Sequence, residues 1–189
     1  MLRSFLTWLL VLTTTVLVAA CCGSVACECN DTYADAIGLQ FSPANSQDSL
    51  RGFYPSYIDT VYLVRNPRDT TQRPRADTVA LTRSRAVVFT QPIIINNTTP
   101  FGLVTGRKLD AYRYTLYLAK RRRRVTPTYT YKIDSIQLAT RYQGDGCCTC
   151  YQNSSKKVFV TNQKGVSQQF DLTDTGGNNE LKLITIERF

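Results

Sequence analysis

Histidine is absent from all 189 residues, and Met1 and Trp8 are the only methionine and tryptophan. Histidine is the side chain that normally transfers protons near neutral pH. Its absence excludes Ser-His-Asp catalysis, Cys-His catalysis and histidine-rich zinc sites. Carboxylate chemistry is the route to catalysis that remains, and we expect a protein that is not an enzyme.

The carboxylates give little support to that remaining route. The candidates for acid and base catalysis are Asp134, Asp145, Asp171, Asp174 and Glu180. Several lie in turn-like settings, where aspartate is expected for backbone hydrogen bonding alone. A Ca²⁺ site at Asp171, Asp174, Asn178 and Asn179 is chemically possible, but the spacing does not match the calcium-loop motif. We therefore predict no catalytic residue, no metal and no cofactor.

The first 21 residues carry the most specific pattern in the chain. Arg3 is followed by an almost continuous apolar run from Phe5, and Val18-Ala19-Ala20-Cys21 ends it. A basic start, an apolar run and a small-residue cleavage site are typical of a secretory signal. An ordinary signal peptide and an uncleaved anchor helix are the alternatives, although the run of about 16 residues is shorter than the roughly 20 that span a bilayer.

The sequence Val18-Ala19-Ala20-Cys21 resembles the lipobox of bacterial lipoprotein precursors, with Val18 in place of the commoner leucine. The resemblance implies that residues 1–20 are a signal peptide cut before Cys21, and that the Cys21 thiol carries a diacylglyceryl group. Residues 21–35 are then the lipidated cysteine and its tether. Because Cys22-Gly23-Ser24 lacks an acidic run, we expect the periplasmic face of an envelope membrane rather than the cell surface.

Six further cysteines fall into two clusters far apart in the sequence: Cys22, Cys27, Cys29, Cys147, Cys148 and Cys150. In an oxidising envelope compartment such clusters indicate disulfides that tie the N-terminal segment to the region near residue 147. Reduced thiols and a four-thiolate metal site are the alternatives, and the Cys-x-Cys spacing is a poor match to zinc ligation. The pairing cannot be deduced, because six cysteines allow fifteen connectivities.

Residues 36–189 predict a single all-β domain, an antiparallel β-sandwich, with a partly closed barrel as the alternative. Residues 112–118 and 129–138 alternate apolar with other side chains, which predicts a hairpin with a bulge near Asp134-Ser135. Residues 36–41, 59–65, 86–90, 92–95, 156–161 and 181–186 are further strand candidates. Residues 66–85 predict an exposed connection, since six arginines lie at positions 65 to 85.

The connection inside the predicted hairpin is strongly basic: Lys120, Arg121, Arg122, Arg123 and Arg124. Mutual repulsion places these charges in solvent, and contact with an anionic envelope surface is the functional interpretation. A solvated loop without a partner is the simpler one. The sequence contains no motif that recognises a groove of DNA, and an exported protein does not meet the nucleus. We therefore expect no nucleic-acid partner.

Aromatic and basic residues interleave in 112–114 and 129–132. Such rows can stack a carbohydrate or an aromatic ligand, but cross-strand tyrosine packing explains them more simply. The sequence as a whole predicts a lipid-anchored cell-envelope protein with a non-enzymatic β domain for binding or structure. A carboxylate-dependent envelope hydrolase and an accessory subunit of an envelope assembly are the alternatives, and protein partners are not predicted.

Overall fold

The computed structural model describes residues 7–13, 29–44, 50–71, 76–102, 108–119, 129–145 and 148–188. Residues 7–13 are α-helical and exposed. No helix in these ranges has both the length and the apolar character needed to cross a bilayer. The remaining ranges contain nine strands and two short 3-10 turns, at Pro55–Tyr57 and Leu109–Ala111.

The nine strands run in chain order from β1 to β9. They are β1 Ile37–Phe41, β2 Thr60–Pro67, β3 Asp77–Thr82, β4 Ile93–Ile95, β5 Tyr112–Ala119, β6 Tyr129–Asp145, β7 Cys148–Asn162, β8 Ser167–Asp171 and β9 Leu183–Ile186. Six of them form one sheet in the order β3-β2-β5-β6-β7-β8, and three form a second sheet in the order β4-β1-β9. The described strands form no closed barrel, so the all-β sandwich predicted from the sequence is confirmed.

The core lies between the two sheets and follows from strand alternation. On β5, Tyr114, Leu116 and Leu118 are buried while the residues between them are not. On β1, Ile37, Leu39 and Phe41 are buried. Phe53 packs edge-on against Phe41, with ring centroids 5.4 Å apart. Side chains at every second position of a strand share one face, and burial of that face is the main favourable term for a sandwich of this kind.

The predicted hairpin is confirmed, because β5 pairs antiparallel with β6 from Tyr114↔Ile133 to Leu118↔Tyr129. The predicted bulge is also present: the register between β6 and β7 shifts between Ile133 and Ser135. Beyond the bulge, β6 continues to Asp145 and pairs with β7 down to Cys148. Strands β6 and β7 are therefore much longer than the strands predicted at 129–138 and 156–161.

One pairing in the sandwich is parallel. β9 runs alongside β1 in the same direction, with Leu39 opposite Ile184, while β4 pairs with β1 antiparallel. The strand predicted at 86–90 is wrong, because residues 85–90 form consecutive turns. The backbone there bonds locally, as in the Val87 carbonyl that accepts from Gln91 at 2.9 Å. Val88 is nevertheless buried in the core, which explains the apolar composition.

The exposed connection predicted for residues 66–85 is also corrected. Strand β3 lies within it and pairs with β2 along its length. Arg65 is 6% exposed and lies between the rings of Phe101 and Tyr112, at 4.6 and 4.8 Å from their centroids. Its guanidinium donates to the Asp77 carboxylate at 3.2 Å. A flat guanidinium stacked on two rings and paired with a carboxylate explains how arginine is accommodated in a core.

Candidate functional site

A groove of about 690 Å³ lies on the outer face of the six-stranded sheet, where it is open to solvent. Its floor is formed by β5 and β6, and the segment that follows β2 forms one side. The lining residues are Asn66, Pro67, Asp69, Thr70, Arg113, Thr115, Lys132 and Asp134. We call this feature the sheet groove.

Strand alternation and register bring the floor residues together. Because Tyr114 and Leu116 point into the core, Arg113 and Thr115 between them lie on the opposite face of β5. Thr115 is the register partner of Lys132 on β6, and Arg113 is the register partner of Asn66 on β2. Direct partners on neighbouring strands lie about 5 Å apart, so side chains from three strands converge on one spot.

The bulge and the segment after β2 build the wall of the sheet groove. Asp134 is the extra residue of the bulge, since Ile133 pairs with Val160 and Ser135 with Phe159. Arg68 donates from its guanidinium to the Asp134 carbonyl at 2.7 Å. A bulge commonly redirects a side chain, and here the Asp134 side chain is exposed at the groove.

Two turn contacts hold the rest of that wall. The backbone N–H of Arg68 donates to the Ala111 carbonyl at 2.9 Å, which extends the pairing of β2 with β5 by one residue. The Asp69 carboxylate accepts from the Thr71 backbone at 3.0 Å and from the Thr71 hydroxyl at 2.6 Å. Aspartate that bonds two residues ahead stabilises a turn, so Asp69 fixes the segment that overhangs the sheet.

Charges of both signs line the sheet groove, with Arg113 and Lys132 on the floor and Asp69 and Asp134 at its side. Within the described ranges, the side chains of Arg113 and Lys132 form no ion pair, and the single ion pair found there joins Arg65 to Asp77. Both cations are exposed. The groove therefore offers hydrogen-bond donors and acceptors that are directed at solvent.

A second polar cluster lies at the other end of β6 and β7, around Tyr151. The Tyr151 hydroxyl donates to Asp35 at 2.7 Å and accepts from the Lys108 ammonium at 2.9 Å. Burial raises the pKa of Tyr151. Burial opposes the charge of Lys108, but the hydrogen bond to Tyr151 and the nearby Asp35 carboxylate outweigh it and raise the Lys108 pKa. Neither group is tuned for proton transfer near neutral pH, so the cluster has a structural role.

The same end of the sheet holds residues 29–36 against the domain. The Asn153 amide donates to the Ala34 carbonyl at 2.6 Å. Lys156 is 5% exposed and donates to the carbonyls of Tyr33 and Ala36 at 3.0 and 3.2 Å. Burial lowers the pKa of Lys156. The segment 29–35, which the sequence placed in a tether, is thus packed on β7 by buried polar groups that find partners there.

A disulfide between two described residues joins the two cysteine clusters. Cys29 is bonded to Cys150, which lies 121 residues further along the chain, and their Cα atoms are 5.2 Å apart. Cys148 is also disulfide-bonded. The predicted lipidation site Cys21 lies outside the described residues, as do Cys22, Cys27, Cys147 and the basic segment Lys120 to Arg124.

Two further carboxylates considered from the sequence, Asp171 and Asp174, accept hydrogen bonds from the backbone. The Asp171 carboxylate accepts from the Thr173 N–H at 2.9 Å, and the Thr173 hydrogen bonds lower its pKa. The Asp174 carboxylate accepts from Gly176 at 3.0 Å and from Glu180 at 3.3 Å. Among the described residues no group of three or more potential metal ligands is present. These aspartates are accounted for as turn residues.

Sequence reasoning did not identify the sheet groove. Asp134 was noted as a carboxylate and as a bulge residue, and Arg113 only as part of a tyrosine row. The structure buries Tyr112, Tyr114 and Tyr131 of those rows in the core, which leaves the residues between them outside. The signal that was present is the outward half of the β5 and β6 alternation, which carries Arg113, Thr115 and Lys132.

Comparison with known proteins gives no relative for this chain: no protein-family model, curated protein or solved structure matches it.

Proposed function

We propose that this chain is a lipid-anchored cell-envelope protein on the periplasmic face, whose β domain binds a ligand without catalysing a reaction. The observation that carries the anchor is Val18-Ala19-Ala20-Cys21, with two small residues directly before the cysteine. The observation that carries the binding role is the sheet groove, with the exposed cations Arg113 and Lys132 on its floor.

The positions of Cys29 and the groove support the two roles together. Eight residues separate Cys21 from Cys29, and extended chain covers at most roughly 28 Å over that length. Cys29 is held at Cys150, whose register partner on β6 is Gln143. Lys132 lies eleven residues before Gln143, which is roughly 35 Å along the strand. With an anchor at Cys21, the groove therefore lies at the part of the sheet that is far from the anchored end.

The anchor is tested by expressing the full chain in a bacterium and labelling it with a fatty acid. Cys21→Ala is expected to abolish labelling and to block processing or release the protein from membranes. Cys22→Ala is the matched control, since it removes the adjacent thiol and leaves the lipobox register intact. Labelling of the Cys21→Ala protein at the wild-type level would disprove the anchor.

A carboxylate-dependent hydrolase is the second candidate, because Asp69 and Asp134 line one groove, the arrangement that paired-carboxylate catalysis requires. Both side chains are exposed, and Asp69 already accepts two hydrogen bonds from Thr71. A general acid usually lies in apolar surroundings, which this pair lacks. Hydrolysis of a glycan by the wild-type chain that Asp134→Asn abolishes would favour the hydrolase over the binding protein.

An accessory role in an envelope assembly is favoured by the sheet edges. Strands β3 and β8 are at the two edges of the six-stranded sheet. β8 is mostly exposed and carries neither lysine nor proline, the residues that often protect such edges. Cross-linking of the full chain in the envelope, at a residue placed on β8, tests this role by the recovery of one discrete partner.

The basic segment 120–124 is proposed to contact an anionic envelope surface. Its flanking residues Ala119 and Tyr129 belong to the sheet end opposite Cys29, with Tyr129 roughly 45 Å along β6 from Gln143. Binding of the full chain to anionic vesicles is expected to weaken with salt and with replacement of the four arginines by serine. Equal, negligible pelleting of both proteins would leave the segment as a solvated loop.

A further inference from the structure

We propose that the sheet groove binds a neutral saccharide, and this inference rests on the binding role proposed above. The ligand class follows from the mixture of groups that line the groove. Arg113 and Lys132 only donate hydrogen bonds, and the Asp134 carboxylate accepts them. Asn66 and Thr115 do both. A sugar hydroxyl also donates and accepts, so a polyhydroxyl ligand can use every one of these groups at once.

The charge balance selects a neutral ligand over a charged one. An anionic ligand would meet the Asp69 and Asp134 carboxylates, and a cationic ligand would meet Arg113 and Lys132. Placing a like charge beside either pair is unfavourable, and a neutral ligand avoids both costs. The lining also carries one proline as its only apolar residue, which does not favour an apolar ligand.

An aromatic surface continues the groove along the strands. Tyr117 on β5 is half-buried on the outer face, and its register partner on β2 is Tyr62. Tyr117 lies two residues after Thr115, so the two side chains share a face about 7 Å apart. A sugar ring has a face of C–H groups that packs on an aromatic ring, and tyrosine offers such a surface together with a polar hydroxyl.

The direction of this row defines the ligand further. The polar groups at Arg113, Thr115 and Lys132 and the ring of Tyr117 follow one another along β5 and β6. Ligand groups spaced along the strand direction would meet the hydrogen-bonding residues first and the ring of Tyr117 next. A linear oligosaccharide fits this layout, whereas a single sugar would reach only one of the two parts.

The test is titration calorimetry of the full chain, purified in detergent, against linear glycans of stated charge. Neutral hexasaccharides of glucose, mannose and xylose form one set, and oligogalacturonate is the acidic probe. At least one neutral glycan is expected to bind, with an affinity that changes less than about twofold between about 0.05 and 0.5 M salt, because screening acts on charged partners. Binding of no neutral glycan, or of the acidic probe alone, would overturn the inference.

Variants locate the binding in the groove. Lys132→Ala and Asp134→Asn are each expected to lower the affinity for the neutral glycan by about tenfold, which is the effect of losing one charged hydrogen-bonding group. Lys164→Ala removes an exposed lysine in the turn before β8 and serves as the control. Thr115→Trp fills the groove without a change of charge, and Gln169→Trp places the same bulk on β8. Retention of affinity in both Lys132→Ala and Thr115→Trp would reject this site.

Failure of this inference and failure of the proposed function give different results. The calorimetry uses purified protein and does not depend on where the chain resides, whereas fatty-acid labelling of Cys21→Ala does not depend on any ligand. Loss of labelling in Cys21→Ala together with no neutral glycan binding rejects the saccharide alone. The opposite result rejects the anchor alone: labelling is unchanged in Cys21→Ala, while a neutral glycan binds independently of salt and binds more weakly to Lys132→Ala.

Discussion

Arg68 and Asp134 are joined across strand β5, because the Arg68 guanidinium on the β2 side donates to the Asp134 carbonyl on β6 at 2.7 Å. The contact couples the overhanging segment to the bulge, and both form the wall of the sheet groove. Arg68, which the sequence places in an exposed connection, thus helps to hold the segment after β2 in place at the side of the groove.

Replacing Arg68 by alanine should distinguish an effect on the shape of the sheet groove from an effect on the stability of the fold. The hydrogen bond is exposed, so the free energy of unfolding is expected to fall by less than about 1 kcal/mol, while affinity for the groove ligand falls severalfold. Arg141→Ala is the matched control, since Arg141 is also exposed and bonds the Gln152 side chain at the other end of β6. Equal ligand affinities of the two variants would contradict the role given to Arg68.

Arg65 is expected to be the charged residue on which the fold depends most. Arg65→Ala removes a buried cation from between Phe101 and Tyr112 and should lower the free energy of unfolding by about 2–4 kcal/mol. Arg65→Lys keeps the charge but loses the planar stacking, so its free energy of unfolding should lie between those of the wild type and Arg65→Ala. Asp77→Asn should cost about 1 kcal/mol or less, because the Asp77 side chain is 38% exposed. Chemical denaturation measures all three, and equal losses for Arg65→Ala and Asp77→Asn would contradict this account.

The disulfide between Cys29 and Cys150 should contribute to stability through the long loop that it closes. Its 121-residue separation places it among the bonds that constrain the unfolded chain most. The double variant Cys29→Ser and Cys150→Ser is expected to lose about 2–5 kcal/mol of unfolding free energy. The measurement is denaturation of the full chain, and an unchanged midpoint would show that packing of residues 29–36 suffices without the bond.

Alkaline pH should destabilise the domain through two buried phenols. Burial raises the pKa of Tyr114 and Tyr131 well above the usual value near 10. Above that pH the unfolded chain releases these protons while the folded chain retains them, so the free energy of unfolding falls by about 1.4 kcal/mol per group for each pH unit. Lys156, whose pKa burial lowers, acts in the opposite direction, but only up to its unfolded pKa near 10.4.

The measurement for this prediction is the melting temperature between about pH 10.5 and 12, where the Lys156 effect has ended and Lys108, whose pKa is raised, acts in the same direction as the phenols. A falling melting temperature is expected. Tyr131→Phe removes one of the two phenols and should make the fall shallower, at the cost of its hydrogen bond to the Glu187 carbonyl. A melting temperature that stays constant through this range would refute the prediction.

Parts of the fold were readable from the sequence because the pattern that encodes them is local. The β5 and β6 hairpin follows from alternation within each strand, and the slip at Asp134-Ser135 marks the bulge directly. Strand β3 was missed because arginines surround a short run in which Val79 and Leu81 are only half-buried. Strand β8 carries one aromatic residue and no apolar alternation, and it exists through backbone pairing with β7.

The opposite error, at residues 86–90, has the complementary cause. An apolar run of that length is compatible with a buried strand or with any other segment that reaches the core. Val88 reaches the core from a set of turns, and the Phe89 carbonyl accepts from the Gln40 side chain on β1 at 2.6 Å. The apolar composition of this segment indicates that it is buried. Whether a buried segment forms a strand depends on hydrogen bonds with residues that are distant in sequence.

The sequence by itself determined the all-β class and the net positive charge, and it predicts the signal at Cys21, because each depends on composition or on neighbouring residues. The tertiary structure decided the bond between Cys29 and Cys150, the burial of Arg65 and the convergence of Arg113, Lys132 and Asp134 on one groove. These depend on register across strands, and register is set by the packing of whole sheets rather than by any segment alone.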